Sequence, residues 1–182
     1  MRRDALSRRD GLSLAFRREA SDRLLSFLDQ LPIPPSSSVA GFMAIRSEID
    51  PLPLMHVLLK RGHELSLPVV LADRETTIFR AWDGVSSLEK SGFGLSVPAS
   101  NAPQVDPQVL LIPLAAFDRR GYRIGYGKGH YDRAIARLEA KQPIVKIGLA
   151  FATQEIADVP SEPHDRRLDF VLTENGLLTI GF

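Results

Sequence analysis

The residues from Phe117 to Arg133 read FDRRGYRIGYGKGHYDR, and their types and spacing describe an anion site. Three glycines stand at alternate positions, Gly125, Gly127 and Gly129, with Lys128 between the second and third. Alternate glycines weaken a core strand, because each removes packing surface and costs backbone entropy. They suit a loop whose backbone comes close to a ligand and turns its N–H groups toward it. A helix follows directly in the pattern, and a helix N-terminus adds positive potential. Lys128 contributes a full positive charge, and Asp132 in the first helical turn can hold a divalent cation beside the same anion. The combination suits a nucleoside triphosphate with magnesium.

A Gly-rich turn ahead of a helix also serves as a plain tight connection. The spacing matches neither standard phosphate fingerprint: there is no G-x-G-x-x-G, and Gly129 follows Lys128 where a Walker sequence has Ser or Thr. Composition tilts the balance toward function. The chain has five lysines against eighteen arginines, and one of the five sits in this loop. Arg123, Tyr126, His130 and Tyr131 crowd into nine residues of the same stretch, far more chemistry than a spacer needs.

Alternating helix and strand must position this loop. Residues 2–31 are helical in pattern, with Leu24, Leu25, Phe27, Leu28 and Leu31 on an apolar face and Pro32 as the stop. A short polar linker, 32–38, leads to a buried strand at 39–45. Residues 51–61 read as a helix with Leu54, Val57 and Leu58 inward, closed by Gly62, and 65–71 as the next strand. That order implies a right-handed parallel crossover. Residues 73–107 read as irregular, with a short strand at 76–82 and a Gly/Pro/Ser-rich stretch after Ser91. The uninterrupted apolar run at 109–116 is what a central strand covered on both faces requires. The glycine loop then enters a helix of about two to three turns with Tyr131, Ile135 and Leu138 on one face, and 144–151 and 170–173 supply the last strands.

The expected fold is therefore α/β: three layers, a mostly parallel sheet with helices on both faces, in a single domain over residues 1–182. Ligands of such folds sit beyond the carboxyl ends of the strands. The loops 46–50, 117–131 and 152–166 share that expected address. In the first, Glu48 stands before Pro51 at a spacing that suits favourable placement near a helix N-terminus more than ligand binding. Met43 is by type a core residue. In the third, Asp165 lies in a Pro-His-Asp turn sequence, and Asp169 reads as a turn aspartate before a strand. A zinc pair of His130 and His164 lacks a third nitrogen or sulfur ligand at useful spacing, and His56 and His63 read as ordinary helix and strand-edge residues.

Composition narrows the function classes. The chain is 44% hydrophobic and 25% charged, the balance of a soluble globular protein. A formal net charge of +1 supplies no field toward nucleic acid or anionic membrane. Arginines cluster at the start (Arg2, Arg3, Arg8, Arg9, Arg17, Arg18), but Asp4, Asp10 and Glu19 interleave them. An exposed helix face accounts for that better than a transit peptide. Cysteine is absent, which excludes disulfides, thiolate nucleophiles and Cys-based zinc sites. No apolar run approaches the roughly 18 residues of a membrane span. A cytoplasmic monomer acting on small molecules is expected.

The stretch LLIPLAAFDRRGYRIGYGKGHYDR resembles the signature of the 5-formyltetrahydrofolate cyclo-ligases, also called methenyltetrahydrofolate synthetases. That signature is an apolar strand ending in Pro, a Phe-Asp turn, then R-[LI]-G-x-G-x-G-x-Y-D-[RA], and each of its positions is matched. The likeness extends over nearly the whole chain. It implies that ATP phosphorylates the formyl oxygen of 5-formyltetrahydrofolate and that ring closure then gives 5,10-methenyltetrahydrofolate. It also implies site residues. Lys128 and Arg123 would serve the phosphates, with Arg2, Ile124, Gly125, Tyr126, Gly127, Gly129, His130 and Tyr131 around the nucleotide. Met43 and Glu48 would contact the folate, together with Tyr126, Gly127, Lys128, Gly129 and His130. Asp132 and Asp165 would hold magnesium. The reading from Glu48's own position is thereby reversed in favour of ligand binding.

Two departures stand out. A nucleotide-binding lysine four residues before the arginine matched by Arg2 would precede Met1, which implies a weakened ATP contact. The frequent Gly-Ile-x-Glu-Pro segment is here Gly94-Leu95-Ser96-Val97-Pro98, without the glutamate. A relative acting on another phosphorylated metabolite, or a folate- or nucleotide-binding module without turnover, are the alternatives.

Overall fold

The computed structural model describes residues 1–91 and 94–181; Gly92 and Phe93, in the stretch after Ser91, and Phe182 lie outside them. Four α-helices occur among the described residues: α1 (Arg2–Asp10), α2 (Leu14–Arg23), α3 (Leu52–Lys60) and α4 (His130–Glu139). The strands are β1 (Ser38–Ala40), β2 (Glu64–Val70), β3 (Thr77–Trp82), β4 (Glu89–Lys90), β5 (Ser96–Val97), β6 (Gln104–Val105), β7 (Val109–Pro113), β8 (Ala116–Phe117), β9 (Arg123–Ile124), β10 (Val145–Leu149), β11 (Phe170–Thr173) and β12 (Gly176–Thr179). Eight of them form one sheet in the order β12-β11-β10-β7-β1-β2-β3-β6, while β4–β5 and β8–β9 are separate two-stranded pairs. The central five, β11 to β2, pair in parallel. Both edges are antiparallel, β12 on β11 at one side and β3 with β6 at the other.

The apolar run at β7 explains why this sheet needs cover on both faces. Val109 and Leu111 pack into one core with α3 and the end of α2, and Leu110 and Ile112 into another with α4. Successive strand residues point to opposite faces, so a strand buried twice has no room for a polar position. None of these four residues is more than 1% exposed. Truncating one of them, Leu110→Ala for instance, should cost about 2–5 kcal/mol through lost burial and the cavity left behind. On the α4 side, Ala134, Ile135 and Leu138 are the buried stripe of the helix. The expected three-layer α/β arrangement is what the chain adopts.

Two expected elements are shorter than their patterns. The helical run 2–31 breaks at Gly11, where Ser13 caps α2 by accepting the Phe16 N–H at 3.2 Å. Its last turns, Leu24–Gln30, tighten to a 3-10 helix before Pro32. The strand expected over 39–45 ends at Ala40. Gly41 lies directly under the Met55 side chain, with no space for a Cβ, and Arg46 takes a left-handed φ of 56°. The chain leaves the sheet there and turns into the site. Among the described residues no helix is long and apolar enough to cross a membrane.

Candidate active site

The glycine loop is aimed by a hairpin built on one buried carboxylate. Strands β8 and β9 pair antiparallel, with Asp118 to Tyr122 as the turn between them. Asp118 is fully buried and accepts the N–H groups of Arg120 at 2.9 Å, Tyr122 at 3.1 Å and Val159 at 2.9 Å. The Arg120 guanidinium adds a 2.7 Å bond. Burial alone would raise the Asp118 carboxyl, but these donors together hold it below the ordinary aspartate range. A folded hairpin thus hands the chain to Arg123 and the glycines in one direction.

Beyond it, Gly127 has φ 88° and Gly129 φ 63°, a region that costs L side chains strain. A Cβ on Gly127 would sit 3.0 Å from Nη1 of Arg2, so the loop backbone and that guanidinium are stacked against each other. Gly129 is the N-cap of α4, and no side chain caps the helix. Its first N–H groups are therefore left for a ligand or water. Arg133 fixes the far side of the loop, donating to the Lys128 carbonyl at 2.9 Å and to that of Glu75 at 3.0 Å.

The loop borders a cavity of about 700 Å³ that brings the three expected loops together. Arg2, Met43, Glu48, the whole stretch from Arg123 to Asp132, and Asp165 all line it. The sequence reading did not include Pro68, Val70 and Thr77 from the β2–β3 hairpin or Leu95 and Ser96 beside β5, which line it too. Pro68 and Val70 lie on β2, an expected strand of the parallel core, whereas Thr77, Leu95 and Ser96 fall in the stretch 73–107 read as mostly irregular, Thr77 joining the sheet by antiparallel pairing with β2. Where the family's glutamate would stand, Val97 is buried with Val69 and Ile78 in a small apolar cluster.

At one side of the cavity, Arg123 donates from Nη2 to Asp132 Oδ1 at 2.7 Å and from Nη1 to the Arg166 carbonyl. The Arg166 N–H reaches the same Asp132 oxygen at 3.2 Å. Asp165 accepts the Glu162 N–H at 2.8 Å in a turn, with His164 Nε2 3.8 Å from its other oxygen. His130 is held below its ordinary range by burial and by the neighbouring cations Arg133 and Lys128. His130 and His164 both line the cavity. Yet among the described residues no group of three or more His, Cys, Asp or Glu is placed to hold a metal by itself.

Glu48 also lines the cavity and is buried. It accepts the Ile45 N–H at 2.9 Å on Oε2 and the Tyr126 hydroxyl on Oε1. Burial raises its carboxyl above the usual range, opposed by Tyr126, the Ile45 N–H, Arg9 and Arg46. Tyr126 is pushed up to about 12 by burial and by the Glu48 carboxylate. The Tyr131 hydroxyl is buried with no hydrogen-bond partner, and burial raises it further.

Arg9 is a correction. Its cluster reads as an exposed helix face, and Arg2, Arg3 and Arg8 are indeed exposed, but Arg9 is 1% exposed. The sequence alone does not foretell this: it is the burial of Ala5, four residues earlier on the same face of α1, that marks the face as inward.

A sequence model of the 5-formyltetrahydrofolate cyclo-ligase family matches residues 1–174. The chain belongs to that family. Among cyclo-ligases it is 29% identical to the 5-formyltetrahydrofolate cyclo-ligase of Mycolicibacterium smegmatis over 183 residues, covering 95% of this chain and 91% of that one. Against the Mycoplasma pneumoniae cyclo-ligase it is 28% identical, covering 96% of both. Its fold superposes on the NMR structure of Aquifex aeolicus 5,10-methenyltetrahydrofolate synthetase with a TM-score of 0.84. That likeness covers 100% of this chain and 91% of that one, at 31% identity. The cyclo-ligase family resemblance, the α/β fold and the placement of the signature loop at a cavity are thus all properties of one chain.

Proposed function

We propose that this protein converts 5-formyltetrahydrofolate to 5,10-methenyltetrahydrofolate, using ATP with magnesium and releasing ADP and phosphate. The observation that carries the proposal is the cavity itself. Its lining joins a buried carboxylate, Glu48, held by Tyr126 of the glycine loop, to Lys128, Arg123 and an uncapped helix N-terminus. A pterin edge presents N–H donors suited to the first, and a triphosphate suits the second.

The chemistry needs activation rather than a nucleophile. A formamide oxygen is a poor nucleophile and a worse leaving group. Its lone pair takes the γ-phosphoryl group as the bond to ADP breaks, leaving an iminium phosphate. The N10 lone pair then forms the new carbon–nitrogen bond, N10 gives up its proton, and the carbon–oxygen bond breaks with its electrons leaving on phosphate. The protein's part is placement and charge. Lys128 and Arg123 face the transferring phosphoryl group, and the Gly125–Gly129 backbone cradles it beside Arg2. Met43 and Glu48 hold the folate, so that the formyl oxygen meets the loop between Tyr126 and His130.

Asp132 and Asp165 fit a magnesium site. Two carboxylates at one cavity are a donor set that this cation accepts when phosphate and water complete its shell. When bound it would neutralise charge on the phosphate oxygens.

The deciding experiment measures ADP release with and without 5-formyltetrahydrofolate while following the methenyl product. Release that depends on the folate and matches product formation is expected. Folate-independent hydrolysis would favour a relative acting on another metabolite, and binding without ADP release a module without turnover. We also propose a cytoplasmic monomer, which sedimentation and fractionation would check.

A further inference from the structure

We propose that Arg9 is a positioning residue of this site. From behind the cavity wall it holds Glu48 and Tyr126 in one arrangement, and so ties the ligand-accepting carboxylate to the phosphate loop. This rests on the reading of Glu48 as the folate-binding carboxylate.

Arg9 does not line the cavity, and its side chain is 1% exposed beside that of Glu48 at 3%. A buried guanidinium is costly unless its donors and charge are matched. Its Nη1 donates to the Tyr126 hydroxyl oxygen at 3.1 Å and lies 3.9 Å from Glu48 Oε1. Its Nε donates to Ser47 Oγ at 3.0 Å, and that hydroxyl donates on to Asp10. Arg9 thus occupies a lone pair of the Tyr126 oxygen, which leaves the hydroxyl proton to point at Glu48. One residue of α1 thereby orders the glycine loop at Tyr126 and the loop after β1 at Ser47.

The arrangement also decides what Glu48 offers a ligand. Each carboxylate oxygen is engaged once by the protein, Oε1 by Tyr126 and Oε2 by the Ile45 N–H. An ionised carboxylate accepts about four hydrogen bonds, so both oxygens keep acceptor capacity for paired N–H donors. The groups facing Glu48 are Arg9 from α1, Arg46 from its own loop, and Tyr126 and Tyr131 from the phosphate loop and α4. Asp10 faces it more remotely through Ser47. Withdrawing Arg9 removes the one buried cation from this set. Lysine keeps a charge but not the planar fork that reaches Ser47 and Tyr126 together.

The test compares wild type, Arg9→Met and Arg9→Lys in steady-state kinetics from pH 5 to 9, each with a urea melt to establish folding. Arg9→Met should raise the KM for 5-formyltetrahydrofolate about 10- to 100-fold, the range for a hydrogen bond to a charged group, and the ATP KM much less, because Arg133 holds the loop backbone independently of Arg9. The acid limb of kcat/KM for the folate should move to higher pH, because Glu48 loses a cation that favours its ionised form. Arg9→Lys should keep that limb near its wild-type place and still raise the folate KM. A residue with only a structural role would lower stability without this split. If Arg9→Met does not fold, Arg9→Lys decides alone, and a wild-type folate KM in it overturns the assignment. Wild-type protein that neither binds nor turns over the folate sinks the reading of the site. Wild type that does both, with folded Arg9→Met matching it in folate KM and acid limb, sinks the role of Arg9 alone.

Discussion

Arg123 and Asp132 hold one another at the edge of the cavity, Nη2 to Oδ1 at 2.7 Å, with the arginine side chain only 6% exposed. The proposed reading assigns the first to phosphate and the second to magnesium. On that reading, the pairing matches the two charges and holds both side chains in place before either ligand binds. An ion pair shielded this far from water is costly to leave half broken.

Asp132→Asn should therefore act twice. The amide loses the charge that holds a hard cation, so the magnesium concentration for half-maximal rate should rise. It also leaves Arg123 without its counter-charge, which should lower stability by about 1–3 kcal/mol. Metal titration of the rate and a urea melt report the two effects separately. A melt that falls while metal dependence stays unchanged would assign Asp132 to the ion pair alone.

Lys128→Ala should lower kcat by roughly 10²–10³, the range for losing one group that stabilises transition-state charge. The loop backbone is fixed independently by Arg133, whose bond goes to the Lys128 carbonyl and not to its side chain. Stability should accordingly stay near wild type. Turnover within about threefold of wild type, only ~0.6 kcal/mol of barrier, would remove Lys128 from the catalytic machinery.

Glu48→Gln should weaken 5-formyltetrahydrofolate binding while leaving ATP binding nearly intact, as isothermal titration with each ligand would show. A pH series gives an independent check. The Glu48 carboxyl is raised in the folded protein, chiefly by burial. A raised acid contributes stability below its unfolded pKa, and the contribution is lost as pH rises through the folded pKa. Stability of Glu48→Gln relative to wild type should thus improve from acid pH toward neutrality. A difference that is flat with pH would mean the carboxylate is not perturbed.

Asp118→Ala should destabilise the fold by about 1–3 kcal/mol, because the buried N–H groups of the hairpin and Val159 lose their acceptor, while Arg120 keeps Asp158 and the Val159 carbonyl. The pH sign is opposite to that of Glu48. With its pKa depressed in the folded state, Asp118 stabilises above the ordinary aspartate pKa, and that stability is lost as pH falls through the depressed value. Urea melts of wild type and variant should converge on acidification. Equal losses at all pH values would show that the carboxylate's charge is not what holds the hairpin.

Local chemistry made much of this protein legible from its residues in order. The apolar run of β7 demanded cover on two faces, and the amphipathic stripe of α4 supplied one of the covers. Gly127 and Gly129, with Lys128 between them, read as a loop whose backbone can come close to a ligand, and the fold sets that loop at the edge of the cavity. These are short-range properties, decided by a residue's type and its near neighbours. Position in space was another matter. Glu48 by its own position reads first as an acid beside a helix, and only the fold sets its oxygen against Tyr126, 78 residues away. The strands that carry Pro68, Val70 and Thr77 were expected, but that β3 folds back antiparallel on β2, and that these three residues line the cavity, depended on the fold. Arg9 shows the difference most sharply. By sequence it is one of several arginines on a charged helix, and tertiary packing alone buries it and pairs it with Tyr126 and Glu48. Burial of a charge depends on partners that the chain brings together only when folded, so its residue type could not foretell it.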